Sequence, residues 1–166
     1  LLCLDQKSVD KLVDRHPPVL KLNIDGNIAP KSEMLQRKLG IDQKGAGQIL
    51  YCPGSFRLIG MNQEAIEERI DYLQSELGLS KKQLAKLLVA CSALLTVSLK
   101  NHYDPLFNSL QTSFGFTREE IAELAMRSPQ LLKRASEEKI ESAAWLLPQV
   151  LGLDVQDKEG LKKYIW

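Results

Sequence analysis

Apolar residues recur along this chain every three to four positions, in short stretches interrupted at regular distances by Gly or Pro. Leu84, Leu87 and Leu88 form one such set, and Ile121, Leu124 and Ala125 another. Longer sets are Ile66, Ile70, Leu73, Leu77; Tyr103, Phe107, Leu110, Phe114; and Ile140, Ala144, Leu147, Leu151. Val9, Leu12, Val13 and Ile28, Leu35, Leu39 continue the scheme toward the N-terminus, and Ile49 stands alone in its stretch. This spacing places each set on one face of an α-helix. An all-α protein is predicted, each helix burying a single stripe.

The interruptions are periodic. Gly40, Gly78, Gly115 and Gly152 each sit between bulky apolar residues, at spacings of 38, 37 and 37. A second marker, at Pro17, Pro53, Ser92 and Pro129, keeps step at spacings of 36, 39 and 37. Two markers with one period define a repeat. The units are 1–41, 42–79, 80–116 and 117–153, with a partial fifth at 154–166, all within one domain.

Helix boundaries within each unit follow from local chemistry. Asp42, Ser80, Thr117 and Asp154 come just after each Gly-apolar pair, and their side-chain oxygens suit the free amides of a first helical turn. Ser80 with Gln83 and Thr117 with Glu120 make capping boxes. The Pro marker ends the first helix, because Pro lacks a donor and turns the preceding residue away from helical backbone. A turn or short 3₁₀ stretch follows, carrying an apolar pair such as Leu131 and Leu132 inward. A longer second helix then runs to the next Gly, which is expected to close it in the left-handed region. Leu35, Leu73, Leu110 and Leu147 each precede their Gly by five residues. Neither helix can bury its stripe alone, and stacked neighbours can, which is the logic of a solenoid. The first helix of the second unit, with Gly45, Gly47 and Gln48 in place of larger apolar residues, is the weakest and is expected to be mobile.

At these positions the chain resembles the mitochondrial transcription termination factor (mTERF) family. Repeats of that family read as a leucine-rich helix, then x-Pro-x-Leu-Leu, then a second helix ending in Leu-Gly-Leu/Phe-Ser. Residues 84–95 and 121–132 carry the likeness best; Ser92 departs from the marker Pro, and Gly54-Ser55 replaces an apolar position. The resemblance implies a right-handed superhelix of three-helix units working in mitochondria or chloroplasts. It also implies binding of DNA or RNA in transcription termination, splicing, ribosome assembly or translation, without choosing among them.

A formal net charge of +1 is low for a polyanion binder. The distribution changes that picture. First-helix-and-turn segments 1–22, 42–59, 80–100 and 117–134 total +7, of which 80–100 holds +4, whereas the second-helix segments total −6. Each half of a solenoid repeat projects to one long surface, so a basic strip opposite an acidic one is predicted. Lys21, Arg57 and Lys133 lie four residues after their markers, with Arg134 beside the last. Lys81, Lys82 and Arg118 stand in first turns of helices, where the macrodipole disfavours cations. These seven are the candidate phosphate contacts, for double-stranded nucleic acid or structured RNA, ribosomal RNA included. Glu64, Glu67, Glu68 and Asp71 read as a solvated face, with a basic partner protein as the alternative. Tyr103, Phe107 and Phe114 keep core register, and Trp145 lies off it.

No catalytic constellation accompanies this pattern. Cys3, Cys52 and Cys91 form no C-x-x-C pair and have no His cluster to complete a zinc site, so they read as small core thiols in a reduced compartment. His16 and His102 lack a nucleophile or carboxylate at triad spacing, and the glycines are helix caps rather than a phosphate loop. No metal, cofactor or enzymatic activity is expected. No stretch approaches the ~20 apolar residues that span a bilayer. The sequence starts at Leu rather than Met, which reads as a processed chain or a fragment from which any targeting peptide would already be missing, and localisation in mitochondrion or chloroplast rests on the resemblance. Three readings result: a regulator of organellar transcripts, a ribosomal or other ribonucleoprotein component contacting RNA and protein, and a protein-interaction solenoid.

Overall fold

A computed structural model describes residues 10, 13, 14, 17, 23–51, 57–152, 154 and 157–164. Every regular element among them is helical. The α-helices are α1 (Ala29–Leu39), α2 (Gln43–Tyr51), α3 (Arg57–Gly60), α4 (Gln63–Leu77), α5 (Lys81–Ala90), α6 (Asp104–Phe114), α7 (Arg118–Arg127), α8 (Pro129–Arg134), α9 (Glu137–Leu151) and α10 (Lys158–Lys162). A 3₁₀ turn at Ser92–Thr96 follows α5, and π-helical turns at Ile24–Ile28 and Leu99–Tyr103 lead into α1 and α6.

The helix boundaries match the local chemistry. Gly40, Gly78, Gly115 and Gly152 have φ of 66°, 59°, 67° and 65°, the left-handed conformation that a side chain disfavours. Ser80 and Thr117 head capping boxes with Gln83 and Glu120, and Asp42 Oδ1 accepts the Gly45 amide at 2.8 Å. The fifth start differs: α10 opens at Lys158, capped by Asp157 rather than Asp154, because Asp157 Oδ1 reaches the Gly160 amide at 2.8 Å.

The short element after the first helix is 3₁₀ in the third copy and α-helical in the fourth, where Pro129 takes the first position, the one place its missing donor costs nothing. The π turns escaped the periodicity argument. They precede Pro30 and Pro105, which cannot donate to the carbonyl four residues back, and the chain widens there: the Tyr103 amide reaches Ser98 O, five residues back.

Contacts divide the chain into two compact units, 1–74 with 79–96, and 75–78 with 97–166. In the first, α1 packs on α2 and α5, α2 packs on α5, and α3 packs on the 3₁₀ turn. Its core includes Leu35, Ile49, Leu58, Ile66, Ile70, Leu73, Leu84 and Leu88. Helix α2, expected to be mobile, is a full helix with Gly45, Ala46 and Gly47 buried. Lys31 is buried there too, donating to Asn27 Oδ1 and to the Ile59 carbonyl near the end of α3, and burial lowers its pKa.

In the second unit, α6 packs on α7, α9 and α10, and Tyr103, Leu106, Leu110 and Phe114 are fully enclosed. Tyr103 stacks on Phe107 at 5.6 Å between ring centroids. The fourth copy departs from its expected stripe. Ile140 is buried, Ala144 and Leu147 are half-buried, and Leu151 is exposed. Leu39, Leu77 and Phe114, its counterparts before the Gly, are all buried; α10, with only five residues, packs on α6 as well as α9 and covers less. Val9, Leu12, His16, Cys3 and Cys52 lie outside the described residues, and Cys91 is buried as expected of a small core thiol.

Candidate nucleic-acid interface

The third copy concentrates the positive charge. Lys81 and Lys82 stand exposed in the first turn of α5, where the Ser80 side chain accepts from the Gln83 amide. One turn on, Lys86 is exposed on the same face, with Ala85 and Val89 beneath. The positions 81, 82, 85, 86 and 89 fall at helical spacing, so the face is continuous. Together with Leu39, Gly40 and Ile41 at the end of α1, it lines an open groove of about 720 Å³. Three ammonium groups thus border a largely apolar floor. Among the described residues none of the three is paired with a carboxylate, and segment 80–100 contains no acidic residue.

The other described candidates lie on other helices. Arg57 is exposed at the start of α3 in the same compact unit. Lys21 lies outside the described residues. Arg118 is exposed, but its Nη2 is 3.5 Å from Glu76 and its helix carries Glu119, Glu120 and Glu123, so its surroundings are acidic. Lys133 is half-buried and Arg134 exposed in the last turn of α8, where a cation complements the helix dipole and has a structural role of its own. The structure therefore brings Lys81 and Lys82 onto one surface and adds Lys86. Lys86 was legible as the residue four and five positions beyond the pair.

The acidic half has a partly internal role. Lys38 pairs with Asp71 and lies 3.9 Å from Glu67, whereas Glu64 and Glu68 face outward. His102, the described histidine, is engaged: its Nε2 meets the Leu132 carbonyl at 2.7 Å, and its ring packs edge-on against Tyr103. No group of three His, Cys, Asp or Glu that could hold a metal occurs among the described residues. No described helix is long and apolar enough to cross a membrane.

The family model described as mTERF matches residues 1–112, the first two repeats and most of the third. This chain belongs to the mTERF family. Membership accords with the all-helical repeat fold and points to nucleic-acid binding, the general property of these non-catalytic, organellar proteins. The fourth repeat, including the exposed end of α9, lies beyond the matched residues of this mTERF protein. No curated protein matches the chain.

Proposed function

We propose that this mTERF protein is a non-catalytic nucleic-acid binder of organellar gene expression, acting in transcription termination or regulation, or in RNA processing. Its target is double-stranded nucleic acid or structured RNA. The observation that carries this reading is the face of α5, where Lys81, Lys82 and Lys86 project without carboxylate partners among the described residues. Lysines so grouped release counterions from a phosphate backbone, an affinity term that a net charge of +1 conceals. Arg57, Lys133 and Arg134 supply outlying contacts, and Lys21 and Arg118 lesser ones.

Fluorescence anisotropy with labelled duplex DNA, duplex RNA and single-stranded RNA of one length tests this. The wild-type chain should bind at low salt, and K81E/K82E/K86E should bind at least ten-fold more weakly with unchanged helicity. Equal binding by the two proteins overturns the assignment.

A second reading, a structural or assembly component of an organellar ribosome, is favoured by the exposed Glu64 and Glu68 of α4, which suit a basic protein. Ultraviolet crosslinking in intact organelles separates the two. Crosslinks on a few promoter, terminator or intron sites support the regulator, and crosslinks concentrated on ribosomal RNA support the ribosomal component.

A further inference from the structure

Helix α9 carries an exposed indole that the repeat does not require. Trp145, Leu146 and Val150 are 68%, 50% and 69% exposed. Counting back from the closing Gly, the position of Trp145 holds Glu33, Asp71 and Asn108 in the other copies, and that of Val150 holds Lys38, Glu76 and Ser113. Both positions are polar in every other repeat, but Lys38 and Glu76 are half-buried and pair with residues of a later repeat, Asp71 and Arg118, whereas Glu33, Asp71 and Asn108 are all exposed. Stacking a further repeat therefore does not account for Trp145, and an exposed indole at a water-facing position marks a contact with another molecule.

The same face is acidic toward its N-terminus. Glu138 and Glu141 are exposed one to two turns before Trp145, and the intervening Lys139 turns its ammonium back to the Arg134 carbonyl at 3.1 Å. This face of α9 therefore runs from the carboxylates of Glu138 and Glu141 to Trp145, with Leu146 and Val150 turned about 100° and 140° away from it. The groove on α5 runs the same way. Lys81 and Lys82 stand at the N-terminal end, Ala85 and Lys86 follow one turn on, and Val89 and Ala90 form the C-terminal end.

We propose that α9 of one copy of this chain docks in the α5 groove of a second copy. Laid parallel to α5, α9 sets Glu138 and Glu141 against Lys81 and Lys82, and Trp145 against Ala85 and Val89. At 1.5 Å per residue, the stripe from Glu138 to Trp145 is about 10 Å long and that from Lys81 to Val89 about 12 Å, so the two are matched in length. A groove of about 720 Å³ has room for an indole. Opposite charges fix the direction, and apolar burial supplies the attraction.

Knob and groove are different surfaces, so the contact is head-to-tail and each added copy leaves one of each free. The groove lysines are also those assigned to phosphate, so nucleic acid and the second copy compete for them. Trp145 has no part in the phosphate contacts, which keeps the two proposals separable.

Sedimentation velocity over a concentration series tests the docking with wild type, W145E and K81E/K82E/K86E, each checked for unchanged helicity by circular dichroism. Wild type should grow past the dimer as concentration rises, and each variant should remain monomeric. An equimolar mixture of the two variants pairs one intact groove with one intact α9 and should give a 1:1 complex and nothing larger. A wild type that stays monomeric, a lysine variant that still self-associates, or a mixture that stays monomeric overturns the proposal. W145E should bind nucleic acid as wild type does, so loss of self-association and loss of nucleic-acid binding are read independently.

Discussion

Lys162 Nζ lies 2.9 Å from Oε2 of Glu120, the same carboxylate oxygen that accepts the Thr117 amide at 2.7 Å. One carboxylate thus closes the capping box of α7 and anchors α10 from 42 residues away. Glu159 adds a second acceptor to the same ammonium at 2.8 Å, and the Phe116 ring lies 5.5 Å below it. The Lys162 side chain is almost wholly covered, held by charge-assisted bonds at its tip and by packing along its stem.

This arrangement makes stability depend on pH at both extremes. The Thr117 amide, and after it Lys162, hold Glu120 below its ordinary value of 4.5. A carboxylate depressed by folding stabilises the native state above its unfolded pKa, and that contribution is lost as pH falls through the folded one. Glu159 and then Glu120 raise Lys162 above 10.5, so its contribution holds below that value and is lost as pH rises through the folded pKa. Thermal melts followed by circular dichroism should show the melting temperature falling on acidification below the usual carboxylate range. Glu120→Ala should cost about 1 kcal/mol near neutral pH and weaken that acid dependence.

Leu110 is fully buried on α6, where α9, α7 and α10 converge. Leu110→Ala should cost about 2–5 kcal/mol in urea unfolding. Leu110→Asp places a carboxylate in the same space and should abolish cooperative melting. A retained sharp transition in the aspartate variant would contradict the repeat register.

Gly40 has φ of 66°, and a Cβ placed there meets nothing within 4 Å. Gly40→Ala should therefore lose only the backbone preference, about 1–2 kcal/mol, and Gly40→Asn less, since Asn tolerates the left-handed region. A larger loss, measured by chemical denaturation, would show that the site is crowded.

Ser92 occupies the marker position where the other copies carry Pro, and its buried hydroxyl has no hydrogen-bond partner among the described residues. An unpaired buried hydroxyl opposes folding, so Ser92→Ala should be neutral or stabilising by up to about 1 kcal/mol in the same assay. Destabilisation would mean that the hydroxyl makes a bond.

The salt dependence of nucleic-acid binding provides a quantitative check on the lysine face. Each phosphate contact contributes a slope of about −0.9 in log K against log salt for duplex DNA. K81E/K82E/K86E should reduce the slope by about two to three units, and Glu64→Gln should leave it nearly unchanged. Titrations at several salt concentrations decide the matter.

The repeat, the left-handed glycines and the capping boxes were all legible in the chain, because each is set by interactions within a few residues: an amide and a side chain three positions apart, or a backbone angle only Gly takes readily. The stripes of α4, α5, α6 and α7 were legible for a related reason, since period alone decides which face a helix buries. The π turns before Pro30 and Pro105 depended on a missing donor that a hydrophobic pattern does not register. Tertiary structure alone decided that Glu120 meets Lys162, that Leu151 lies exposed while Phe114 does not, and that Lys81, Lys82 and Lys86 border an apolar groove against Leu39 and Ile41. Those outcomes depend on which helices approach one another and where cover runs out, and no local spacing along the chain encodes either.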